Sequence, residues 1–449
     1  MEVCTVGGFD EVGRNMTAVK IEEDVIILDA GFHLPAIIEM QENEVGYKRP
    51  DEKSLRQAGA IPDDLVLDKL GWTDKVRAIV IGHAHLDHIG ALPYIVHRYP
   101  KAPVLASPFT MAFLEETLND DRMTIPNKKI TVKPNSSYTI KGKSGNIVVE
   151  FINMTHSTPH TCFVALHTKE GILVYTLDFK LDNYPTLSKA PNYKRLSELR
   201  RKGVNVLVVD SLYSDTEGKT PSERIARHLV EEAISKVKRD RRSAIFIATF
   251  SSHIERIHSI VEFAKGVGRE IVVLGRSMNK YIACAVKTNL FPLKNSVRIF
   301  KYRKQVDSMF KKIEKDRNRY FVICTGHQGE PGSILDRVVK GEANFKFREG
   351  DNVIVSSSVI PVPINIAARD KMDKKLRRMG VKIQTDVHVS GHPSRDDLRE
   401  VLRLIKPKHV IPAHGSLDKT SPMIDVAREF GYKFGETSHL SSNGKVLKF

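Results

Sequence analysis

His83-Ala84-His85-Leu86-Asp87-His88 follows the apolar run 78–81 after a single glycine, Gly82. In an extended segment, alternate side chains share a side, so His83 and His85 can bind one metal ion. Asp87 and His88 come after the turn and face a second position, and a short helix is expected from near Gly90. Imidazole nitrogens joined by carboxylate oxygens suit Zn²⁺, and Mn²⁺ also accepts this ligand set. Six residues do not complete a catalytic metal site, which needs about three protein ligands and one open position. His156, Asp178 and His414 are the candidates for the remainder, each at the end of a strand-like run.

Outward from the hexapeptide the same texture repeats. The run 25–28 leads into Asp29-Ala30-Gly31, 147–152 into the segment holding His156, 172–177 into Asp178, and 204–209 into Asp210. Short Val- and Ile-rich runs with polar tips read as buried strands of an α/β protein, whose chemistry gathers at strand ends. From residue 214 the pattern shifts. Thr220-Pro221-Ser222-Glu223 reads as a capping box opening a helix to about residue 239, and Ser252 with Glu255 reads as a second box. Strands at 244–248, 271–274, 320–324 and 353–355 alternate with helical segments, which predicts a second α/β unit with a parallel sheet. After about residue 380 the first texture returns, through His388-Val389-Ser390-Gly391-His392 and His409 to Gly415. The organisation expected is therefore 1–213, then an inserted domain at 214–375, then the rest of the first domain at 376–449.

Composition bounds the rest. At 449 residues the chain is long enough for roughly three domain-sized units. Hydrophobic residues at 41% and charged residues at 28% exclude disorder as the main state. No run approaches the roughly 20 apolar residues of a membrane-spanning helix, and the start lacks a signal-peptide pattern, so no membrane partner and a cytoplasmic location are expected. Four dispersed cysteines without a CxxC pair read as small buried hydrophobes. A net charge of +16, with basic runs at 236–242, 301–304 and 311–319, suggests a polyanionic partner.

Together these motifs resemble the metallo-β-lactamase superfamily, whose hallmark is HxHxDH with a strand-end Asp before it and His, Asp and His after it. Within it the sequence resembles the β-CASP nucleases, and among those the ribonuclease J family in its short archaeal form. The resemblance spans essentially the whole chain. It rests on Gly7-Gly8, Glu11, Gly13 and Asn15-Met16, on Leu28 to Gly31, His83 to Gly90 and Thr155-His156-Ser157. It extends to Leu177-Asp178-Phe179, Thr325-Gly326 with Gln328-Gly329-Glu330-Pro331, Ser390-Gly391-His392 and Ala413-His414-Gly415. The fold implied is a metallo-β-lactamase αββα sandwich with an inserted β-CASP α/β domain.

Carried over by position, the resemblance implies two Zn²⁺ per chain. His83, His85 and His156 fall on one, Asp87, His88 and His414 on the other, and Asp178 bridges them. Asp29 takes the place of the acid that orients a ligand histidine. Asp210 and His392 fall on the following motifs, and His414, where DNA-directed members carry valine, marks RNA-directed members. His392 is the expected proton donor to the leaving oxygen, with Asp210 holding its other nitrogen. The implied activity is hydrolysis of single-stranded RNA from a 5′-monophosphate end. The loops Ser251-Ser252-His253, Arg276-Ser277 and Ser356-Ser357-Ser358, with His388, are the expected phosphate contacts. Two departures stand out: Ser416 occupies a place where family members often carry Glu, and the C-terminal domain of bacterial relatives is not expected here. A homodimer is compatible with the resemblance, but not one formed through that domain. The competing readings are an RNA endonuclease of the cleavage-factor type and a metal-dependent thioester or lactone hydrolase. The latter has no use for the inserted domain, Asp210 or His392.

Overall fold

The computed structural model describes residues 1–43 and 50–449. It divides into two compact units. The first comprises Met1–Asn183, Ser188–Thr220 and Gly391–Phe449, and the second Tyr184–Leu187 and Pro221–Ser390. The expected switch points after 213 and 375 compare with unit boundaries at 220/221 and 390/391.

In the first unit two sheets face each other. One runs in the order Lys445–Lys448, Glu2–Gly7, Met16–Ile21, Asp24–Leu28, Val76–Ile81, Val104–Ala106, Lys129–Thr131. The other runs His409–Ala413, Val204–Asp210, Gly171–Thr176, Cys162–Thr168, Asn146–Asn153, Ser136–Lys141. The period of two in each strand builds the layers. Val19, Ile26, Leu28 and Val80 meet Val149, Phe151, Val164, Tyr175 and Val208 between the sheets. The alternate residues Ile152, Phe163, Val174 and Leu207 turn outward onto Leu196, Leu199, Leu398 and Leu402. Those leucines belong to the helices Tyr193–Lys202 and Arg395–Ile405. The helix Pro108–Asp121 packs along Val104–Ala106 and Lys129–Thr131 of the first sheet. The result is the expected αββα sandwich.

Register sets the site. Asp24–Leu28 pairs in parallel with Val76–Ile81, Leu28 opposite Val80, which brings Asp29 beside Gly82-His83. Val204–Asp210 lies between two parallel neighbours, with Val209 opposite Thr176 and Asp210 opposite Ala413. Asp178, Asp210 and His414 therefore emerge from adjacent strand ends on one edge.

The second unit holds a six-stranded sheet of wholly parallel pairings, in the order Arg298–Phe300, Glu270–Leu274, Tyr320–Cys324, Ile245–Thr249, Asn352–Ser356, Lys382–Gln384. Phe246, Val272, Val322 and Val353 are packed under Phe310, Leu335, Phe345 and Leu376. All four cysteines are buried and free, as the spacing suggested.

Three local expectations need correction. The short helix of the hexapeptide begins at Leu86, not near Gly90; it spans Leu86–Ile89, so Asp87 and His88 lie within it. Thr220 does not cap the next helix, which spans Glu223–Val237 and takes Ser222 as its cap. Ser252 and Glu255 form no box either: the helix Ile254–Ala264 starts after His253 without a side-chain cap. In both cases the glutamate is drawn to a longer-range partner, Glu223 to Arg256 and Glu255 to Thr186.

Candidate metal centre

Strand ends and one short helix place the titratable side chains of the first unit. His83 and His85 leave the strand Val76–Ile81, and Asp87 and His88 stand on Leu86–Ile89. The backbone there is tightly interlocked. Ala30 N donates to His88 O at 2.7 Å, Asn15 N to Asp87 O at 3.1 Å, and Gly31 N to Asn15 O at 3.0 Å. A Cβ on Gly31 would lie 1.6 Å from the Asp87 carbonyl oxygen, so only glycine permits this approach. Asp29 and His414 both adopt left-handed backbone, φ 61° and 64°, which turns each side chain off its strand end. Such conformations cost about 1 kcal/mol or more for a non-glycine residue and cluster at functional sites.

The structure brings the metal-ligand candidates together in two overlapping sets. His83, His85, His156 and Asp178 form one, and Asp87, His88, Asp178 and His414 the other, each with its ligand atoms within 4.8 Å of one another. In the first set His85 Nδ1 lies 3.1 Å from His83 Nε2 and 3.0 Å from His156 Nε2. One ring proton cannot serve both contacts, whereas a divalent cation serves all three lone pairs. Asp178 belongs to both sets. It is 1% exposed, and neither of its oxygens has a hydrogen-bond partner. A buried carboxylate without donors is costly unless cations face it. The donor set therefore fits a divalent metal.

Neighbours orient the ligands. Asp29 is fully buried, with Oδ2 2.6 Å from His88 Nδ1 while Oδ1 accepts from Gly82 N at 2.9 Å. This carboxylate keeps the His88 proton on Nδ1 and turns Nε2 toward Asp178, 3.2 Å away. His156 Nδ1 donates to the Gly391 carbonyl at 2.7 Å, leaving Nε2 as the lone-pair donor. Burial holds His83 and His156 well below the usual imidazole range, and lowers His85 to about 4 against the pull of Asp87 and Asp178. Neutral imidazole is the form a metal takes. Burial works against the Asp178 charge, but the imidazoles of His414, His88 and His392 around it hold its carboxyl well below the usual range.

Beside these sets stands a third, Asp178, Asp210 and His392. His392 Nδ1 is 2.8 Å from Asp210 Oδ2, and Asp210 Oδ1 accepts from Leu212 N at 3.0 Å. Its ring stacks on His414 at 5.4 Å. Burial opposes charge on His392, yet Asp210 and Asp178 outweigh it and raise the imidazole to about 9. Cations held by the adjacent sets would pull this value down.

The expected phosphate contacts all fall within the second unit. Ser251 and Ser277 hydroxyls are 2.9 Å apart. Arg276 and Ser277 are exposed at the start of the helix Arg276–Lys287, and Ser252 and His253 are buried. Ser357 Oγ is buried without a hydrogen-bond partner, Ser358 O accepts from Gln328, and Ser356 is fully buried with its proton given to Val387 O. His388 is half-buried, its Nδ1 3.2 Å from Arg256.

Two contributors had no sequence reading of their own. Asn15 Nδ2 lies 3.1 Å from His88 Nε2 and 2.9 Å from His414 Nδ1, bridging two ligand imidazoles. Only its place in the Gly13-Arg14-Asn15 segment pointed to it. The other is the Gly391 carbonyl, a backbone group with no side-chain signal.

The chain is similar to known proteins along its length. Residues 9–181 match the metallo-β-lactamase superfamily model, 242–370 the ribonuclease J β-CASP domain, and 378–434 the Zn-dependent metallo-hydrolase RNA specificity domain. Ribonuclease J of Methanocaldococcus jannaschii is 37% identical over 100% of this chain and 99% of its own. The chain belongs to the ribonuclease J family. Ribonuclease J of Pyrococcus abyssi is 36% identical over 100% of this chain and 97% of its own. Ribonuclease J 1 of Streptococcus pyogenes is 29% identical over 99% of this chain but 74% of its own length. A crystal structure of a protein of unknown function from Enterococcus faecalis shares the fold, with a TM-score of 0.63 and 17% identity over 99% of both chains. Among the described residues of this ribonuclease J family member, no helix is long and apolar enough to cross a membrane.

Proposed function

We propose that this protein is a metal-dependent ribonuclease that degrades single-stranded RNA from a 5′-monophosphate end. The observation that carries the reading is Asp178, a carboxylate without hydrogen bonds shared by two ligand sets, with the Asp210–His392 pair beside it. The relatives that share the full length of the chain bear the name ribonuclease J.

His83, His85 and His156 would hold one divalent ion, Asp87, His88 and His414 a second, with Asp178 between them. Zn²⁺ suits this set and Mn²⁺ is accommodated. When bound, such a pair supplies Lewis-acid charge to phosphoryl oxygens and lowers the pKa of water. Asp29 and the Gly391 carbonyl fix which nitrogen of His88 and His156 is offered. Asp210 holds the His392 proton on Nδ1, so Nε2 is the nitrogen that gives its proton to the leaving 3′ oxygen. In the second unit, Ser251, Ser252, His253, Arg276, Ser277, Ser357, Ser358 and His388 supply donors for a terminal phosphate, from turns at strand ends and helix starts.

The test is incubation with 5′-monophosphate single-stranded RNA labelled along its length, with and without a chelator. Mononucleotides released from the 5′ end, and none with chelator, are expected. Internal fragments as the first products would make the enzyme an endonuclease, and degradation undiminished by chelator would end the metal reading.

A further inference from the structure

Arg256, on the helix Ile254–Ala264 of the second unit, is 0% exposed. Each of its three nitrogens has a partner. Nε and Nη2 donate to the two oxygens of Glu223 at 2.7 and 3.0 Å. Nη1 donates to Ser356 Oγ at 2.9 Å, with Ser356 O at 3.2 Å and Val387 O at 3.3 Å, and lies 3.2 Å from His388 Nδ1. Ser356 passes its own proton to Val387 O at 2.8 Å, and Thr249 Oγ1 donates to Ser356 O at 2.9 Å.

Two consequences follow from the chemistry of the group. Arginine has no acceptor and keeps its protons, so His388 Nδ1 is the acceptor and the ring proton resides on Nε2. With no exposed surface, Arg256 cannot itself touch a ligand. What it does is bind the end of the strand Asn352–Ser356 to the segment carrying Val387 and His388. A buried ion pair is poor evidence for stability, because apolar residues of similar volume often serve as well; its best-attested use is to fix one arrangement.

We infer that Arg256, with Glu223, is a positioning residue of the terminal-phosphate pocket. It presents His388 as an Nε2–H donor and sets the turn that carries Ser357 and Ser358. The inference rests on the pocket reading given under Proposed function. Its role is specificity: it distinguishes a 5′-phosphorylated RNA end from a 5′-hydroxyl end through residues it holds.

The experiment measures the ratio of kcat/KM for 5′-monophosphate and 5′-hydroxyl RNA of one sequence, in the full-length metal-loaded protein. The double variant Glu223→Met with Arg256→Met removes both charges together; it also takes from His253 Nε2 the Glu223 oxygen 3.3 Å away, a contact that Arg256→Lys leaves in place. The expected result is a ratio at least tenfold smaller than in the unaltered protein. Arg256→Lys keeps a cation beside Glu223 but lacks the fork that reaches Ser356 and His388 together, and the same fall is expected if the double variant does not fold. In parallel, ¹⁵N spectra of histidine-labelled protein should show His388 as the Nε2–H tautomer, and lose that preference in Arg256→Lys. A folded variant that keeps the unaltered ratio and the unaltered tautomer overturns the role of Arg256 alone. A ratio near one in the unaltered protein overturns the pocket reading itself.

Discussion

His392 and Asp178 sit side by side yet make opposite demands on a test. The His392 ring is tied by Nδ1 to Asp210 and is itself outside both ligand sets. His392→Ala should lower turnover by about 10²–10⁴-fold, the usual worth of a positioned acid, while metal content by elemental analysis stays at the unaltered level. Loss of metal in that variant would make His392 a ligand instead. Asp178 is the residue that both sets share, so its effect belongs to binding. A ligand that binds the folded state at a thousand times its Kd stabilises it by about 4 kcal/mol, or on the order of 10 °C in a protein of this size. Asp178→Asn should remove most of the gap in Tm between metal-loaded and chelated protein. A gap that survives the substitution would mean the carboxylate is not a ligand. The seven candidate ligands could be named from the sequence because His and Asp crowd into one hexapeptide and recur where strand-like runs end, a local and chemically distinctive pattern. Asn15 and the Gly391 carbonyl could not be, because an amide and a backbone oxygen look the same wherever they stand.

Elements were legible where their pattern is local and hidden where a distant partner decides. The strand runs ending at Asp29, Asp178 and Asp210 declare themselves by apolar periodicity. The two capping boxes failed because the helices are capped at Ser222 and His253, later than the pattern read, which leaves Glu223 and Glu255 short of the third helical position; both bond to distant partners instead. A similar long-range bond joins elements in the first unit. Glu150, on the strand Asn146–Asn153, accepts from Arg195 Nε at 2.5 Å and Nη2 at 3.0 Å, and lies 2.7 Å from His167 Nε2. Burial alone would raise its pKa, but the bonds from His167 and Arg195 outweigh it and bring the carboxyl to about 2. A carboxyl whose pKa is lower folded than unfolded stabilises the fold above the unfolded value of 4.5 and loses that contribution as pH falls toward 2. Glu150→Gln should therefore cost about 1–2 kcal/mol at neutral pH. The difference in Tm between the two proteins should shrink between pH 4.5 and 2.5. A difference independent of pH across that window would show that the carboxylate charge contributes nothing.

At the scale of the molecule, a net charge of +16 does not by itself say where RNA lies, because cations that are already paired have little left to offer a phosphate. The basic runs differ in this respect. Arg317 of the 311–319 run spends its guanidinium on Asp351 and Glu314, and Arg319 lies near Glu270. These residues join the helix Arg303–Lys315 and its neighbours to the rest of the second unit. Lys236, Lys238, Arg239, Arg241 and Arg242 are exposed where the helix Glu223–Val237 ends, and no carboxylate is in ion-pair reach of them among the described residues. Free cations gathered on a short stretch are the ones that release counterions when RNA binds. For a single strand each phosphate so neutralised adds about 0.7 to the steepness of log K against log salt. Replacing those five residues with Gln should flatten the salt dependence of binding to the slowed His392→Ala protein by about 2–3 units. Replacing Arg317 and Arg319 should leave the slope unchanged while lowering Tm, since a structural pair is lost and no phosphate contact with it. Equal slopes for the unaltered protein and the fivefold variant, measured by fluorescence anisotropy from 50 to 300 mM salt, would assign the run at 236–242 to solubility and move the RNA path elsewhere.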